Sequence, residues 1–345
     1  MRQGWKLAFV YIGLVIGAGF ASGREIMEYF NLPSGQDHSG IILATFLLIA
    51  VCYLILRRAY LWKLETFDQY LNSVAGRFAK PVKLFMLFYL FCGFFTMLSG
   101  SGALLRQNFM LPSTAGILLM ALICFTVLSF DLKGIVTLNT VLVPCMIFGI
   151  LYICTSAAVF GVRSAFSFRG LTRGMLTSAI CYVSYNTISA ASVLVPIQCG
   201  ITSKGIRTAA VAGGFILGLL ILVVWFSQSQ LFDALWDSEI PMLKLAAMTG
   251  RTQKNLYASV LFMAISTTAV SQGFGILEQF RFCSAGQRVK GAALLCLLAL
   301  PFSFLGFSRL VAHLYTFFGI TGLFWMAWLF VDFYFRRPPC EKPES

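Results

Sequence analysis

The sequence predicts an all-α integral membrane protein with about ten transmembrane helices. Of its 345 residues, 59% are hydrophobic and only 11% are charged, whereas a soluble domain carries about 25% charged residues. Many windows of roughly 20 residues contain no charge, and a helix of that length crosses a hydrocarbon core of about 30 Å. The apolar runs do not alternate with polar residues, as the strands of a membrane β-barrel would. We therefore expect most of the chain to be helical and to lie in a bilayer.

Ten apolar segments are candidate spans, numbered here in chain order. They cover residues 5–31, 38–60, 80–108, 111–130, 133–160, 171–198, 203–229, 253–282, 286–305 and 308–335. With both termini placed in the cytoplasm, most of the 26 Lys and Arg fall in cytoplasmic segments, as the positive-inside rule requires. This distribution explains the net charge of +13 without a nucleic-acid partner. The chain is predicted to be a multi-pass protein of the cell (plasma) membrane.

Two polar stretches between spans predict short additional helices. The basic stretch 57–83 also contains aromatic residues and predicts an interfacial helix on the cytoplasmic side. The stretch SEIPMLKLAAM (238–248) has a proline near the start of an apolar pattern, which favours a helical lid on the outer face.

The first span is predicted to be interrupted near its middle. The stretch LVIGAGFASGREI (14–26) places three glycines, a serine, Arg24 and Glu25 inside an apolar segment. Unwound backbone survives in hydrocarbon only where protein, water, an ion or a ligand satisfies its polar groups. Gly17 and Gly19 permit such a conformation and a close approach to the main chain. Ser22 is expected near the N-terminus of the second half-helix, where the positive end of the dipole suits a carboxylate.

Two other interpretations of this stretch are open. The glycine spacing, Gly13-x-x-x-Gly17 and Gly19-x-x-x-Gly23, also fits tight packing of one helix on another. The basic N-terminus, apolar run and Ala-Ser-Gly sequence also resemble a cleavable secretory signal, but the glycines interrupt the run and cleavage would leave nine spans.

The sixth span is also predicted to be interrupted, at CYVSYNTISAAS (181–192), a polar stretch inside an apolar helix. Spans 1 and 6 each begin a half of five spans, about 5–160 and about 171–335, within one transmembrane domain that covers residues 1–345. Because five is odd, the second half would have inverted topology. Paired interrupted helices in corresponding positions indicate the central binding site of a transporter.

The first span carries a family resemblance. IGAGF (16–20) is similar to the I-G-x-G-I/F signature of the amino acid–polyamine–organocation superfamily, and IGAGFASGREI is closer still to the YkvI-type membrane proteins placed in it. The resemblance covers essentially the whole chain and implies the LeuT-like fold of two inverted five-span repeats, with spans 1 and 6 interrupted. It implies a substrate site that both interrupted spans form. The residues at these positions are Gly17, Ala18, Gly19, Phe20, Ser22, Ser184, Tyr185, Asn186 and Thr187.

Span 8 suggests a coupling ion. FMAISTTAVSQGFG (262–275) places Ala264, Thr267 and Thr268 in the A-x-x-[ST]-[ST] pattern of sodium-coupled LeuT-fold carriers. The resemblance implies that these residues bind sodium together with the carbonyls of Gly13 and Ile16, and oxygen ligands suit a hard cation. The alternative is that these hydroxyls bind no ion, because Ser and Thr in membrane helices often donate to the carbonyl four residues earlier.

Proton coupling is the rival mechanism. Some superfamily members replace the sodium ion with a lysine from span 5, and residues 134–160 contain no Lys or Arg, which favours sodium. Glu25 and Glu28 remain candidates for carrying a proton, since ionisable residues inside a membrane are usually functional. Because Arg24 is adjacent, all three residues can equally serve as ion-pair partners or as a gate. Asp332, near a cytoplasmic end, is expected to be solvated or paired with Arg336.

The predicted function is secondary active transport of a small solute, an amino acid or related carboxylate, coupled to sodium by alternating access. The rivals are a proton-coupled carrier of the same fold and a permease-like sensor that binds solute without transporting it, as spore germinant receptor subunits do. An enzyme is not expected, because the isolated histidines His38 and His313 and the scattered cysteines form no catalytic or metal cluster. The expected partners are the solute and the lipid bilayer. Sodium is the expected coupling ion, and no other cofactor is predicted.

Overall fold

The described part of the chain consists of helices and turns, without strands. A computed structural model describes residues 2–30, 39–129, 135–158, 173–198, 200–280 and 285–335. Its helices are α1 (Arg2–Val15), α2 (Ala18–Ser22), α3 (Arg24–Phe30), α4 (Ser39–Leu61), α5 (Phe67–Ala75), α6 (Ala79–Phe109), α7 (Ser113–Ser129), α8 (Ile135–Ala158), α9 (Arg173–Ile197), α10 (Ser203–Ser229), α11 (Phe232–Leu235), α12 (Pro241–Thr249), α13 (Arg251–Glu278), α14 (Ala285–Ser303), α15 (Phe307–Leu310) and α16 (Thr316–Phe335). A 3₁₀ turn, Gly76–Phe78, precedes α6, and a π-helical turn, Val311–Tyr315, joins α15 to α16.

Within the described residues, six helical segments are long and apolar enough to cross a membrane, which confirms the predicted class. They are Ser39–Leu61, Phe67–Phe109, Gly174–Ile197, Ser203–Ser229, Arg251–Leu277 and Phe307–Phe335. Two shorter apolar helices, Ser113–Ser129 and Leu142–Ser156, add to them. The total of ten spans and the division into two five-span halves remain predictions.

The predicted interruption of span 1 is present, but it lies slightly earlier than expected. Helix α1 ends at Val15, and the Gly17 N–H bonds the Val15 carbonyl only two residues back, at 2.8 Å. The chain then turns again at Gly23, whose φ of +76° lies in the left-handed region that glycine adopts without strain. Gly19, expected in the unwound stretch, lies inside α2 instead.

The predicted interruption of span 6 is wrong, because α9 is one continuous helix through the polar stretch. The hydroxyls and amide of this stretch satisfy themselves on their own helix. The Ser184 hydroxyl donates to the Cys181 carbonyl at 2.9 Å, the Asn186 amide to Tyr182 at 2.9 Å and the Thr187 hydroxyl to Val183 at 2.7 Å. Polar side chains in an apolar helix therefore do not require that its backbone unwind.

The broken first span lies at the centre of the packed helices. α1 packs against α8, α9 and α10, whereas the short α2 contacts α12 and α13, and α3 contacts α9, α10 and the π-helical turn. Every residue from Ala18 to Met27 is buried as a result. The structure thus encloses the region that the sequence singles out.

Both predicted short helices are present. α5 begins at a capping box in which the Thr66 hydroxyl accepts from the Gln69 N–H and the Gln69 side chain accepts from Thr66. α12 begins with Pro241 at its first turn, a position where the missing N–H costs nothing. We call the end of the molecule with α11 and α12 the lid end, and the opposite end the Arg58 end. The two ends are about 28 Å apart along α4, from Ser39 to Arg58, at 1.5 Å per residue.

Candidate solute and ion site

The break after α1 frees main-chain oxygens. Because the Gly17 N–H turns to Val15, the Gly13 carbonyl loses its helical partner. Within the described residues, the Ile16 carbonyl has no helical partner either, since α2 begins only at Ala18. Gly17 caps α2 without a side-chain hydrogen bond. The break therefore presents polar backbone groups in the interior of the protein, and such groups require compensation in hydrocarbon.

Helix α13 brings one predicted sodium ligand to this break. A methyl group added at Gly17 would lie 3.6 Å from the Thr268 Oγ1 and 3.7 Å from its Cγ2, so the two residues are neighbours. The Thr268 hydroxyl donates to the Ala264 carbonyl at 2.8 Å, and the half-buried Thr267 hydroxyl donates to the same carbonyl at 3.1 Å. These are the bonds expected of ordinary helix residues, and they leave the hydroxyl oxygens able to accept from or ligate another group. At Gly13, tight packing is also present, because an added Cβ would lie 2.5 Å from Val143 of α8.

The second break, at Gly23, is sealed by side chains that the sequence did not indicate. The Gln228 amide of α10 donates to the Gly23 carbonyl at 2.9 Å, and the Tyr257 hydroxyl of α13 donates to the Ala21 carbonyl. The Ser22 hydroxyl donates to the Gly19 carbonyl at 2.7 Å and accepts from the Arg24 N–H at 3.3 Å. Ser22 thus ends α2, two residues before α3 begins, and its hydroxyl is engaged within its own turn.

Glu25 occupies the space over α2. Its side chain folds back so closely that a Cβ at Gly19 would lie 1.9 Å from its Oε1. The residue is only 3% exposed, and its Oε2 has no hydrogen-bond partner in the described structure. A carboxylate therefore lies against the main chain of the broken span.

A group of tyrosines surrounds this carboxylate. The Tyr185 and Tyr315 side chains lie beside the Glu25 carboxyl group, and the Tyr185 ring stacks between Tyr29 and Tyr315, with ring centroids 6.0 Å and 5.0 Å apart. The Tyr29 hydroxyl donates to the Tyr315 carbonyl at 2.7 Å, which ties α3 to the π-helical turn. We call Glu25, Tyr29, Tyr182, Tyr185 and Tyr315 the Glu25–tyrosine cluster. Of its tyrosines, the sequence had marked only Tyr185 as a site residue.

The four span 6 residues that the sequence predicts at the substrate site do not share one environment. Because α9 is continuous, consecutive side chains point in different directions around it. Tyr185 alone joins the Glu25–tyrosine cluster, whereas the Ser184 hydroxyl donates to the Gly319 carbonyl of α16. Asn186 and Thr187 are buried and hydrogen-bonded within α9.

Arg24 points away from Glu25, toward the lid end. Its guanidinium pairs with Glu28 on the next helical turn at 2.5 Å and donates to the Trp236 carbonyl at 3.0 Å and the Ser238 carbonyl at 3.4 Å. It also lies over the Trp236 ring. Two adjacent charged residues therefore have different environments: Arg24 and Glu28 hold the lid segment, while Glu25 faces the interior.

Comparison with known proteins gives two full-length relatives, although no family model matches the chain. The uncharacterized membrane protein YkvI of Bacillus subtilis is 30% identical over 327 residues, which cover 92% of each chain. The uncharacterized protein YyaD of the same organism is 28% identical over 337 residues, covering 94% of this chain and 95% of the relative.

Solved structures identify the fold. A Na⁺-coupled sialic acid symporter matches with a TM-score of 0.63 and 15% identity, over 96% of this chain and 78% of the symporter. The inward-facing form of Mhp1 matches at 0.62 and 15%, over 95% and 76% of the two chains. The manganese transporter of Eremococcus coleocola matches at 0.60 and 12%, over 94% and 78%. All three are LeuT-fold transporters and not enzymes, so the chain has the predicted fold.

Proposed function

Because the chain belongs to the family of the membrane protein YkvI and has the LeuT fold, we propose that it is a secondary transporter of a small solute. The solute is an amino acid or related carboxylate, and sodium is the coupling ion. The observation that carries this proposal is the break in span 1, which is enclosed by the packed helices, with Thr268 beside Gly17 and the Glu25 carboxylate against Gly19 of the adjoining α2. Discontinuous helices with free backbone groups are how transporters of this kind bind ions and substrates near the middle of the membrane.

The sodium part of the proposal depends on the free carbonyls of the break and on one neighbouring hydroxyl. The Gly13 and Ile16 carbonyls lack helical partners, and Thr268 of α13 lies beside Gly17. Thr267 and Ala264 complete the predicted set of oxygens. Oxygen ligands of this kind suit a hard cation, and residues 134–160 of span 5 contain no lysine to replace the ion.

Uptake by proteoliposomes tests sodium coupling. Labelled amino acids should accumulate with an inward sodium gradient and not when choline replaces sodium. Thr268→Ala should raise the sodium concentration for half-maximal uptake at least about tenfold, since an ion-binding oxygen is worth about 1.4 kcal/mol or more.

The matched control is Ser259→Ala on the same helix. Ser259 makes the same kind of bond to the carbonyl four residues earlier but at an exposed position, so uptake should not change. Accumulation driven by a proton gradient without sodium would replace sodium with the proton-coupled alternative, in which the buried Glu25 is the candidate carrier. Saturable binding with no uptake under any gradient would identify a sensor.

A further inference from the structure

We propose that the Glu25–tyrosine cluster binds a protonated amino group, so that the solutes of this protein carry one and carboxylates without an amine are excluded. The inference rests on the proposed function but narrows its solute class. Four observations carry it: the position of Glu25, its missing counter-ion, the aromatic surroundings and the adjacent break in span 1.

The position of Glu25 places its charge where a solute would be bound. Its Oε1 lies directly over Gly19 of α2, four residues beyond the end of α1. The carboxylate is therefore beside the break, and not in a vestibule at the surface, where a charge would be solvated.

Glu25 has no counter-ion among the described residues. The nearest arginine in sequence, Arg24, instead pairs with Glu28 and donates to the lid carbonyls of Trp236 and Ser238. The Glu25 Oε2 is buried and has no hydrogen-bond partner. A buried carboxylate without a cation is unfavourable, and a cationic ligand would compensate for it.

The surroundings favour an organic ammonium group over a metal ion. The Tyr185 and Tyr315 hydroxyls can donate to the carboxylate but cannot neutralise it. The rings of Tyr29, Tyr185 and Tyr315 form a stacked wall, and tyrosine rings attract organic cations as well. A hard metal ion needs oxygen ligands on nearly all sides, whereas this cluster consists mainly of ring surface.

An ammonium group also matches the hydrogen-bonding capacity present. It has several N–H donors, and in the described structure the buried Glu25 Oε2 is an acceptor without a hydrogen-bond partner. The Tyr182 hydroxyl is buried and also has no hydrogen-bond partner among the described residues. The Tyr182 ring lies at the edge of the cluster, with its centroid 5.9 Å from that of the Tyr185 ring. The site therefore offers the carboxylate, oxygen acceptors and aromatic faces that a protonated amine requires.

The test is thermal unfolding of the full-length protein in detergent with methylammonium chloride as the probe, compared with sodium and potassium chloride at equal ionic strength. A ligand that binds only the folded state raises the unfolding temperature in a concentration-dependent manner. Methylammonium should stabilise the wild-type protein, and Glu25→Gln should weaken this apparent affinity at least about tenfold.

Two further variants test whether the methylammonium response depends on the Glu25–tyrosine cluster. Glu28→Gln, on the same helix but paired with Arg24, should leave the methylammonium response unchanged. If Glu25→Gln does not fold, Tyr315→Phe should fold and weaken the response severalfold. The inference is overturned if methylammonium has no effect beyond that of potassium, if the effect survives Glu25→Gln or Tyr315→Phe, or if sodium alone shows the Glu25-dependent response.

Failure of this inference is distinguishable from failure of the proposed function. Methylammonium binding at Glu25 without flux of any amino acid would refute the transport function and leave the amine site intact. Sodium-driven uptake of carboxylates that lack an amine would refute the amine site and leave transport intact.

Discussion

The two ends of the protein are each held by a buried arginine, but the two arginines are held in different ways. At the lid end, Arg24 is bound to Glu28 of its own helix and to two main-chain carbonyls of the lid segment. At the Arg58 end, Arg58 of α4 is paired with Asp332 of α16 at 3.2 Å, and both side chains are almost completely buried. Arg58 also lies over the Trp62 ring and donates to the Ser73 carbonyl near the end of α5.

This difference determines which helix movement would separate two opposite charges. If the lid segment moves away from α3, Arg24 keeps Glu28 and loses its carbonyl bonds and its contact with the Trp236 ring. If α16 moves away from α4, two opposite charges 274 residues apart in the sequence are separated. For a transporter that alternates access, we expect the lid end to open at lower cost than the Arg58 end.

The largest effect is expected at the Arg58 end. Arg58→Ala should lower the free energy of unfolding by about 3–5 kcal/mol, because the buried Asp332 carboxylate would lose its ion pair with Arg58. Denaturant unfolding in detergent measures this loss. The double variant Arg58→Met, Asp332→Leu should recover most of the stability, since no unpaired charge remains. A loss below about 1 kcal/mol in the single variant would show that the pair is hydrated and would remove the asymmetry between the two ends.

A smaller effect is expected at the lid end. Arg24→Ala should cost about 1–2 kcal/mol, because it removes hydrogen bonds to the lid carbonyls and leaves Glu28, whose side chain is 24% exposed and can be hydrated. The same unfolding measurement applies. Glu28→Gln is the control that keeps the bonds to Trp236 and Ser238, and it should cost less. If Arg24→Ala destabilises the protein as much as Arg58→Ala, the two ends are equivalent.

The smallest effect is expected on the outside of the lid. Arg106 pairs with Glu239 there, but the Arg106 side chain is 55% exposed, so Glu239→Gln should change the free energy of unfolding by at most about 1 kcal/mol. The difference from wild type should vanish in high salt, because exposed ion pairs are screened. A salt-independent loss above 2 kcal/mol would mean that this pair, and not Arg24, holds the lid.

Much of the fold follows from local sequence signals. Span 7 was predicted at 203–229, and α10 is Ser203–Ser229, because an apolar run bounded by polar turns determines both ends. Thr66 and Gln69 indicate the start of α5, and Pro241 the start of α12. Local sequence signals fail at span 6, where a polar stretch predicts an interruption that is absent. In α9 the hydroxyls of this stretch donate to carbonyls of the same helix, so the backbone stays helical.

The site shows the same division. The break in span 1 could be predicted from Gly17 and its neighbours, and Thr268 of the predicted ion site lies next to Gly17. Tyr29, Tyr315 and Gln228 could not be, because each is an ordinary residue in its own helix and gains a role only from a partner on another helix. The partner of Asp332 could not be predicted either. The sequence suggests that Asp332 is solvated or paired with Arg336, a residue that lies outside the described part of the chain. In the structure, Asp332 is buried against Arg58.

The sequence by itself determined that this protein is a helical membrane protein, that its first span is broken, and that it belongs with the YkvI proteins. The first two properties depend on composition, hydrophobic length and glycine spacing, all of which are local, and the third depends on the resemblance of IGAGFASGREI and of the whole chain to YkvI. Only the tertiary structure decided that Arg24 and Glu25 have opposite environments, although they are neighbours in the chain. Successive residues of a helix point in different directions, so the packing of the lid, α9 and the π-helical turn around α3 directs one charge to the lid and leaves the other buried and free to bind a cation.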